Sequence, residues 1–215
     1  MNKETVLFNE SCTACPRLNN FLQIVRKKYP NYHGKPVAPF GEKKPKLLVV
    51  GLAPGMHGAN ATGRPFTGDY AGVLLYETLY EFGFSNQANS ISRNDKLKLI
   101  DCRITNAVKC LPPENKPTGS EINQCNQYLT EELKQLAISS VILCLGQIAH
   151  KAVVKALMLK QTDFPFGHAN LYKLDNGNML IDSYHCSRYN TQTKRLTAEM
   201  FEMVFERARG LIKDH

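Results

Sequence analysis

The sequence predicts an α/β fold, a three-layer α/β/α sandwich around a mainly parallel sheet. Three observations point there: short apolar runs end in glycine-bearing loops, amphipathic stretches lie between them, and one pair of runs flanks a hairpin turn. Strands that alternate with helices need a sheet covered on both faces. In such a fold the active groups sit in loops at the carboxyl ends of the strands.

Each element has its own reason. Residues 12–28 read as a cysteine-bearing lead into an amphipathic helix, because Leu18, Phe21, Leu22 and Val25 share a helical face. Residues 29–46 carry Pro30, Pro36, Pro39 and Pro45, which argues for an extended surface connection. The run KLLVVG over 46–51 is a buried strand, and a long loop follows over 52–68. A helix begins after Asp69, its natural N-cap, and stops at Gly83. CRITNAV over 102–108 is a second strand. Ser120 and Glu121 open a helix to about Ala137, VILCLG over 141–146 is a third strand, and residues 147–159 form a helix. Residues 171–174 and 179–184 flank Asn176-Gly177, a hairpin turn pair. The last helix spans about 193–212.

The chain has 215 residues, of which 43% are hydrophobic and 21% charged. That suits one globular domain over residues 1–215 and excludes a disordered or collagen-like chain. No apolar stretch approaches the ~20 residues of a membrane-spanning helix, so no membrane partner is expected. The N-terminal MNKETVLFNESC does not read as an export signal, which makes the cytoplasm the expected compartment. Lys and Arg total 27 against 19 Asp and Glu, a net charge of +8. Such an excess serves solubility and also attracts polyanions such as nucleic acid. Nothing in the sequence signals an oligomer, and a monomer is expected.

Seven cysteines, an odd number, turn attention from disulfides to metal or cluster ligation. Cys12 and Cys15 form a Cys-x-x-Cys pair, and Cys110 with Cys125 would supply a second half. By count, four thiolates suit zinc and iron–sulfur equally, and Cys110 and Cys125 also fit as small core residues. Cys102 and Cys144 lie inside strand runs and read as core. Cys186 follows His185, but nothing local supplies the base a thiol nucleophile needs. The segment GLAPGMHGANATGRPFTGDYAG over 51–72 lets a backbone approach a ligand closely, yet it lacks the GxxxxGK[ST] pattern of a nucleotide-binding loop. SYHCSRYN over 183–190 sets His185 just beyond the last strand, a favoured position for a functional residue.

Taken together, the Cys-x-x-Cys lead, GLAPG…GRPFTGD, ITNAVKCLPPENKP with Cys125, and SYHCSRYNTQTKRLT resemble the uracil-DNA glycosylase superfamily, and within it family 5. The likeness spans most of the chain. Family 4 enzymes carry a glutamate where this chain has Leu52, and family 1 enzymes carry the aspartate of GQDPY. Here Leu52 and Ala53 are apolar, and Asp69 is the nearest carboxylate, as in family 5. Cys186 departs from the pattern, standing where related enzymes often have proline or a small aliphatic residue.

The resemblance implies a monofunctional enzyme that hydrolyses the N-glycosidic bond of uracil in DNA, and of other deaminated bases such as hypoxanthine and xanthine. It implies a structural [4Fe–4S] cluster on Cys12, Cys15, Cys110 and Cys125, carried by the N-terminal segment. It assigns Asp69 and His185 to catalysis, the first as negative charge near the sugar and the second as a donor to the leaving base. Phe66 matches the aromatic under a flipped base, and Asn106 the amide that reads its edge. Gly51, Leu52, Ala53, Gly55 and Asn190 complete the expected base site. His57, Gly58, Ser187, Arg188 and Tyr189 are expected at the DNA, with Gly55 to Gly58 and Ser187 at phosphates and Arg188 and Tyr189 entering the duplex. Two rivals remain. A non-enzymatic iron–sulfur protein that binds DNA would leave GRPFTGD and His185 without a task. A nucleotide hydrolase would lack both a Walker lysine and an obvious metal-carboxylate pair.

Overall fold

The computed structural model describes residues 8–213, so the first part of the N-terminal stretch lies outside it. The secondary elements are α1 (Pro16–Lys28), β1 (Phe40–Gly41), β2 (Leu47–Gly51), α2 (Ala59–Thr62), α3 (Tyr70–Glu81), β3 (Cys102–Asn106), α4 (Gly119–Lys134), β4 (Val141–Leu145), α5 (Gln147–Ala156), β5 (Leu171–Lys173), β6 (Met179–Ser183), α6 (Arg188–Gln192) and α7 (Ala198–Lys213). Six strands form one sheet in the order β1-β3-β2-β4-β6-β5. The inner four are mutually parallel, and the two edge strands run antiparallel to their neighbours. This is the α/β/α sandwich with a mainly parallel sheet. No helix of the described residues is long and apolar enough to cross a membrane.

Every residue of β2 is buried, and its side chains alternate between two cores. Leu47 and Val49 join Leu75, Leu79, Phe201 and Phe205 on the α3 and α7 side, while Leu48 and Val50 join Leu129, Val153 and Leu180 on the α4 and α5 side. The period-2 geometry of a strand produces that split. A smaller cluster sets Leu18 of α1 against Val108, Cys125 and Tyr128, which docks α1 beside the carboxyl ends of β2 and β3.

Several sequence-based boundaries need correction. The proline-rich connection contains a two-residue edge strand, β1, paired with β3. One helical turn, α2, interrupts the long loop after β2. β3 ends at Asn106, although the N–H groups of Ala107 and Val108 still donate to Gly51 and Leu52 carbonyls. The cap of α4 is Thr118, whose hydroxyl accepts from Glu121 N–H while the Glu121 carboxylate accepts from Thr118 N–H; the helix ends at Lys134. α5 stops at Ala156, just before Met158 turns to a φ of 57°. The last helix begins at Ala198 because residues 188–192 close a separate turn, α6, and Lys194 has a left-handed φ of 57°.

Candidate active site

A cavity of about 470 Å³ opens at the carboxyl ends of β2, β3 and β6. Leu52, Ala53, Gly55, Phe66, Asp69, Asn106, His185, Ser187 and Arg188 all line it. Residues distant in sequence therefore share one wall-to-wall site, because parallel strands end side by side.

Asp69 comes from the start of α3, but its side chain does not cap that helix. Its backbone is extended and its side chain makes no bond to the α3 amides. Instead Oδ2 accepts from the N–H of Ala59, the first residue of α2, at 3.1 Å. Asp69 thus holds the expected N-cap position, and only the expected side-chain cap is corrected. Gly55 and Gly58 wrap the same carboxylate: a Cβ on Gly55 would stand 2.5 Å from Oδ1, and one on Gly58 would collide with the whole carboxyl group. Burial raises the Asp69 pKa from its ordinary value, and the Ala59 N–H partly opposes that shift.

Phe66 has a φ of 56°, a strained conformation for an aromatic residue. Its neighbours hold it there. Tyr76 Oη donates to the Pro65 carbonyl at 2.8 Å, and the Arg64 guanidinium, paired with Asp95 at 2.6 Å, donates to Thr67 Oγ1 at 2.8 Å. Gly72 is required beneath it, since a Cβ there would strike the Phe66 carbonyl. Gly51 plays the same part at the strand end, where a Cβ would lie 2.5 Å from Asn106 Oδ1 and 2.7 Å from the Phe66 ring. Asn106 is 4% exposed, and its Oδ1 has no hydrogen-bond partner. An unpaired buried amide on a cavity wall is costly unless a ligand meets it.

His185 lies opposite, its ring 6.0 Å from that of Phe66 and tilted 26° from it. Burial in the wall pushes its pKa down to about 4, so the imidazole is neutral at physiological pH. Asn190 does not line this cavity. Its Nδ2 donates to the His185 carbonyl at 2.8 Å, and its side chain borders an adjoining cavity of about 550 Å³. Cys186, fully buried, donates its thiol to the Ala71 carbonyl at 3.3 Å and fastens the His185 loop to α3. Burial pushes that thiol up to about 12, which makes it a poor nucleophile.

The residues expected at DNA divide. Ser187 and Arg188 border the cavity, with Ser187 capping α6 and Arg188 lying 4.9 Å from the centre of the Tyr70 ring. Tyr189 is 70% exposed beside them, outside the wall. Gly58 is spent on Asp69, and exposed His57 bonds through Nδ1 to Tyr32 Oη at 2.9 Å. Tyr70, Ala71 and Asn115 line the cavity without having been singled out. The first two follow Asp69 directly, and Asn115 sits in the PENKP turn with a φ of 57°.

A second pocket, almost wholly apolar, is lined by Cys12, Cys15, Cys110 and Cys125 together with Leu18 and Tyr128. Cys125 Sγ accepts from the Lys109 N–H at 3.3 Å. Burial and the neighbouring thiols push Cys15 up to about 11 and Cys110 up to about 12. Among the described residues, no group of three or more His, Cys, Asp or Glu side chains converges as a single-ion site would require.

Residues 38–209 match the profile of the uracil DNA glycosylase superfamily. The chain is 43% identical to the type-5 uracil-DNA glycosylase of Thermus thermophilus, over 94% of each chain. It is 40% identical to the type-5 enzyme of Pyrobaculum aerophilum, over 92% of this chain and 88% of that one. Against a type-4 uracil-DNA glycosylase of Archaeoglobus fulgidus the identity is 32%, over 63% of this chain and 60% of the relative. With a superfamily match across most of its length and near-full-length type-5 relatives, this chain belongs to the uracil DNA glycosylase superfamily, in its type-5 family.

Proposed function

We propose that this protein excises uracil from DNA by hydrolysing the N-glycosidic bond, leaving an abasic site for base excision repair. One observation carries the reading: Asp69, His185, Phe66 and Asn106 line the same cavity. A base turned out of the stack needs a flat surface and an edge reader, which Phe66 and the unpaired Asn106 amide supply. The amide can accept from N3–H and donate to O4 of uracil. As the bond breaks, the sugar gains positive charge and the base negative charge. The neutral His185 imidazole donates to the base oxygen O2, and the Asp69 carboxylate, held by Ala59 and the two glycines, offsets the sugar's charge. Arg188 and Tyr189 contact the duplex at the cavity mouth, while Ser187 contacts a phosphate. Hypoxanthine and xanthine are proposed as further substrates, since Leu52 and Ala53 leave the wall beside Gly55 without a polar side chain that would select one base.

A [4Fe–4S] cluster is the proposed occupant of the cysteine pocket, supported by the family likeness and by four thiols lining one pocket. Cys12, Cys15, Cys110 and Cys125 would hold the group, which would tie α1 to α4 and to the loop after β3. Its contribution would be structural. Action in the cytoplasm, as a monomer of one domain, completes the proposal.

The test is a duplex bearing one uracil, incubated with protein and then treated with alkali. Strand cleavage at the uracil is expected, and an intact strand would reject the glycosylase reading. Repeating it with hypoxanthine, xanthine and thymine mismatches measures the breadth of the pocket. Brown protein with iron and acid-labile sulfide in equal amounts would support the cluster, and colourless zinc-loaded protein would reject it.

A further inference from the structure

The positive charge of this protein is concentrated in one part of the chain. Between Ser11 and Gly68, nine lysines and arginines stand against one acid, Glu42, an excess equal to the net charge of +8. Arg17 and Arg64 are spent on Glu121 and Asp95. Arg26, Lys27 and Lys28 in the last turn of α1, and Lys35 after it, are exposed and paired with no described acid.

These cations frame an ordered aromatic cluster. Tyr29 stacks on Tyr32 with ring centres 4.8 Å apart, and His57 meets both rings edge-on at 5.5 and 5.9 Å. Lys28 Nζ lies 5.4 Å from the centre of the Tyr29 ring. Arg26 packs its stem over Gly34, where a Cβ would stand 2.5 Å from Arg26 Cγ. The cluster is anchored to the active site through α2: His33 and Gly34 donate to the Ala61 and Asn60 carbonyls, and the amide of Ala59 holds Asp69. The tyrosines turn their faces to each other, so little flat surface is left for stacking a base. What the cluster presents outward is a set of positive heads and polar ring edges.

We infer that the end of α1 and the loop over 29–35 form a second DNA contact, gripping the phosphodiester backbone of the duplex arm that flanks the lesion. It deepens the glycosylase reading and rests on it for the identity of the polyanion. Basic residues at a helix C-terminus also favour the helix dipole, but a dipole role would leave DNA affinity and its salt dependence untouched.

Binding of a labelled undamaged duplex is measured by fluorescence anisotropy over a salt series, using full-length wild type, the Lys27→Ala/Lys28→Ala double variant and Lys27→Glu/Lys28→Glu. Lys155→Ala/Lys160→Ala, in the last turn of α5 and just beyond it and outside the cavity lining, is the control. The expected result is weaker binding and a log affinity against log salt slope shallower by about 0.9 for each lost phosphate contact. Single-turnover excision at saturating DNA stays at the wild-type rate, and the control matches wild type. Unchanged affinity and slope in both Lys27/Lys28 variants would overturn the inference, as would an equal loss in the control. Undamaged DNA needs no excision, so failure of the glycosylase assay and failure of this contact are read separately.

Discussion

The Asp69 carboxylate accepts from the Ala59 N–H at 3.1 Å and so caps α2, the single turn inside the glycine-rich loop, rather than α3, the helix it precedes. The proposed catalytic charge is thereby held by the loop that also walls the cavity. A carboxylate raised in pKa by burial favours the native state most when protonated, so its ionised form costs stability as pH rises through the interval between the ordinary and raised values.

Asp69→Asn should therefore cut single-turnover excision by about 10²–10³-fold, the usual effect of removing an electrostatic stabiliser. Its melting temperature at neutral pH should match or exceed that of wild type, because the amide oxygen can still accept from Ala59. A large drop in melting temperature would assign Asp69 to the fold instead.

Gly58→Ala puts a methyl group into the Asp69 carboxyl group and must move it. A displacement of this order costs roughly 10²-fold in rate. Excision should fall while circular dichroism stays native, and wild-type rates would show that the carboxylate's position does not matter.

The pH profile separates the two proposed catalytic groups. With His185 at about 4, no inflection should appear near pH 6.5, and the acid limb should reflect Asp69 and His185 together. A depressed histidine supports stability above pH 6.5 and withdraws that support as pH falls toward 4. Melting curves of His185→Asn should consequently lose less between pH 6.5 and 4 than those of wild type.

A buried pair away from the cavity has the opposite sign. His150 Nδ1 faces Asp182 Oδ1 at 2.7 Å and Nε2 faces the Phe164 carbonyl at 2.7 Å. Two acceptors around one imidazole require an extra proton on the pair, and both pKa values are raised: that of His150 by Asp182 against burial, that of Asp182 by burial. The histidine's contribution to stability is full below pH 6.5 and is lost as pH rises through its raised value. Asp182→Asn lets a neutral imidazole satisfy both contacts, so the alkaline decline of the melting temperature should flatten.

How much of this was legible beforehand depended on how local each cause is. The buried run over 47–51, the Asn176-Gly177 turn and the core placement of Cys102 and Cys144 follow from side-chain period and turn chemistry, which neighbours in sequence settle. α2 and α6 were missed because one-turn helices carry little periodicity, although Ser187 was a readable cap. Asn190 resembled a base contact, yet it braces the His185 backbone, a distinction that rests on which way a side chain points.

The residues alone determined the α/β class, the family likeness and the cast of the cavity, since alternation, caps and motif spacing are written along the chain. Tertiary structure alone decided which partner Asp69 takes, that Gly51, Gly55, Gly58 and Gly72 must lack a Cβ, and that Tyr70 and Asn115 join the wall. Those outcomes arise where parallel strands bring distant loops within a few ångströms, and contacts of that kind have no period or spacing in sequence from which to be read.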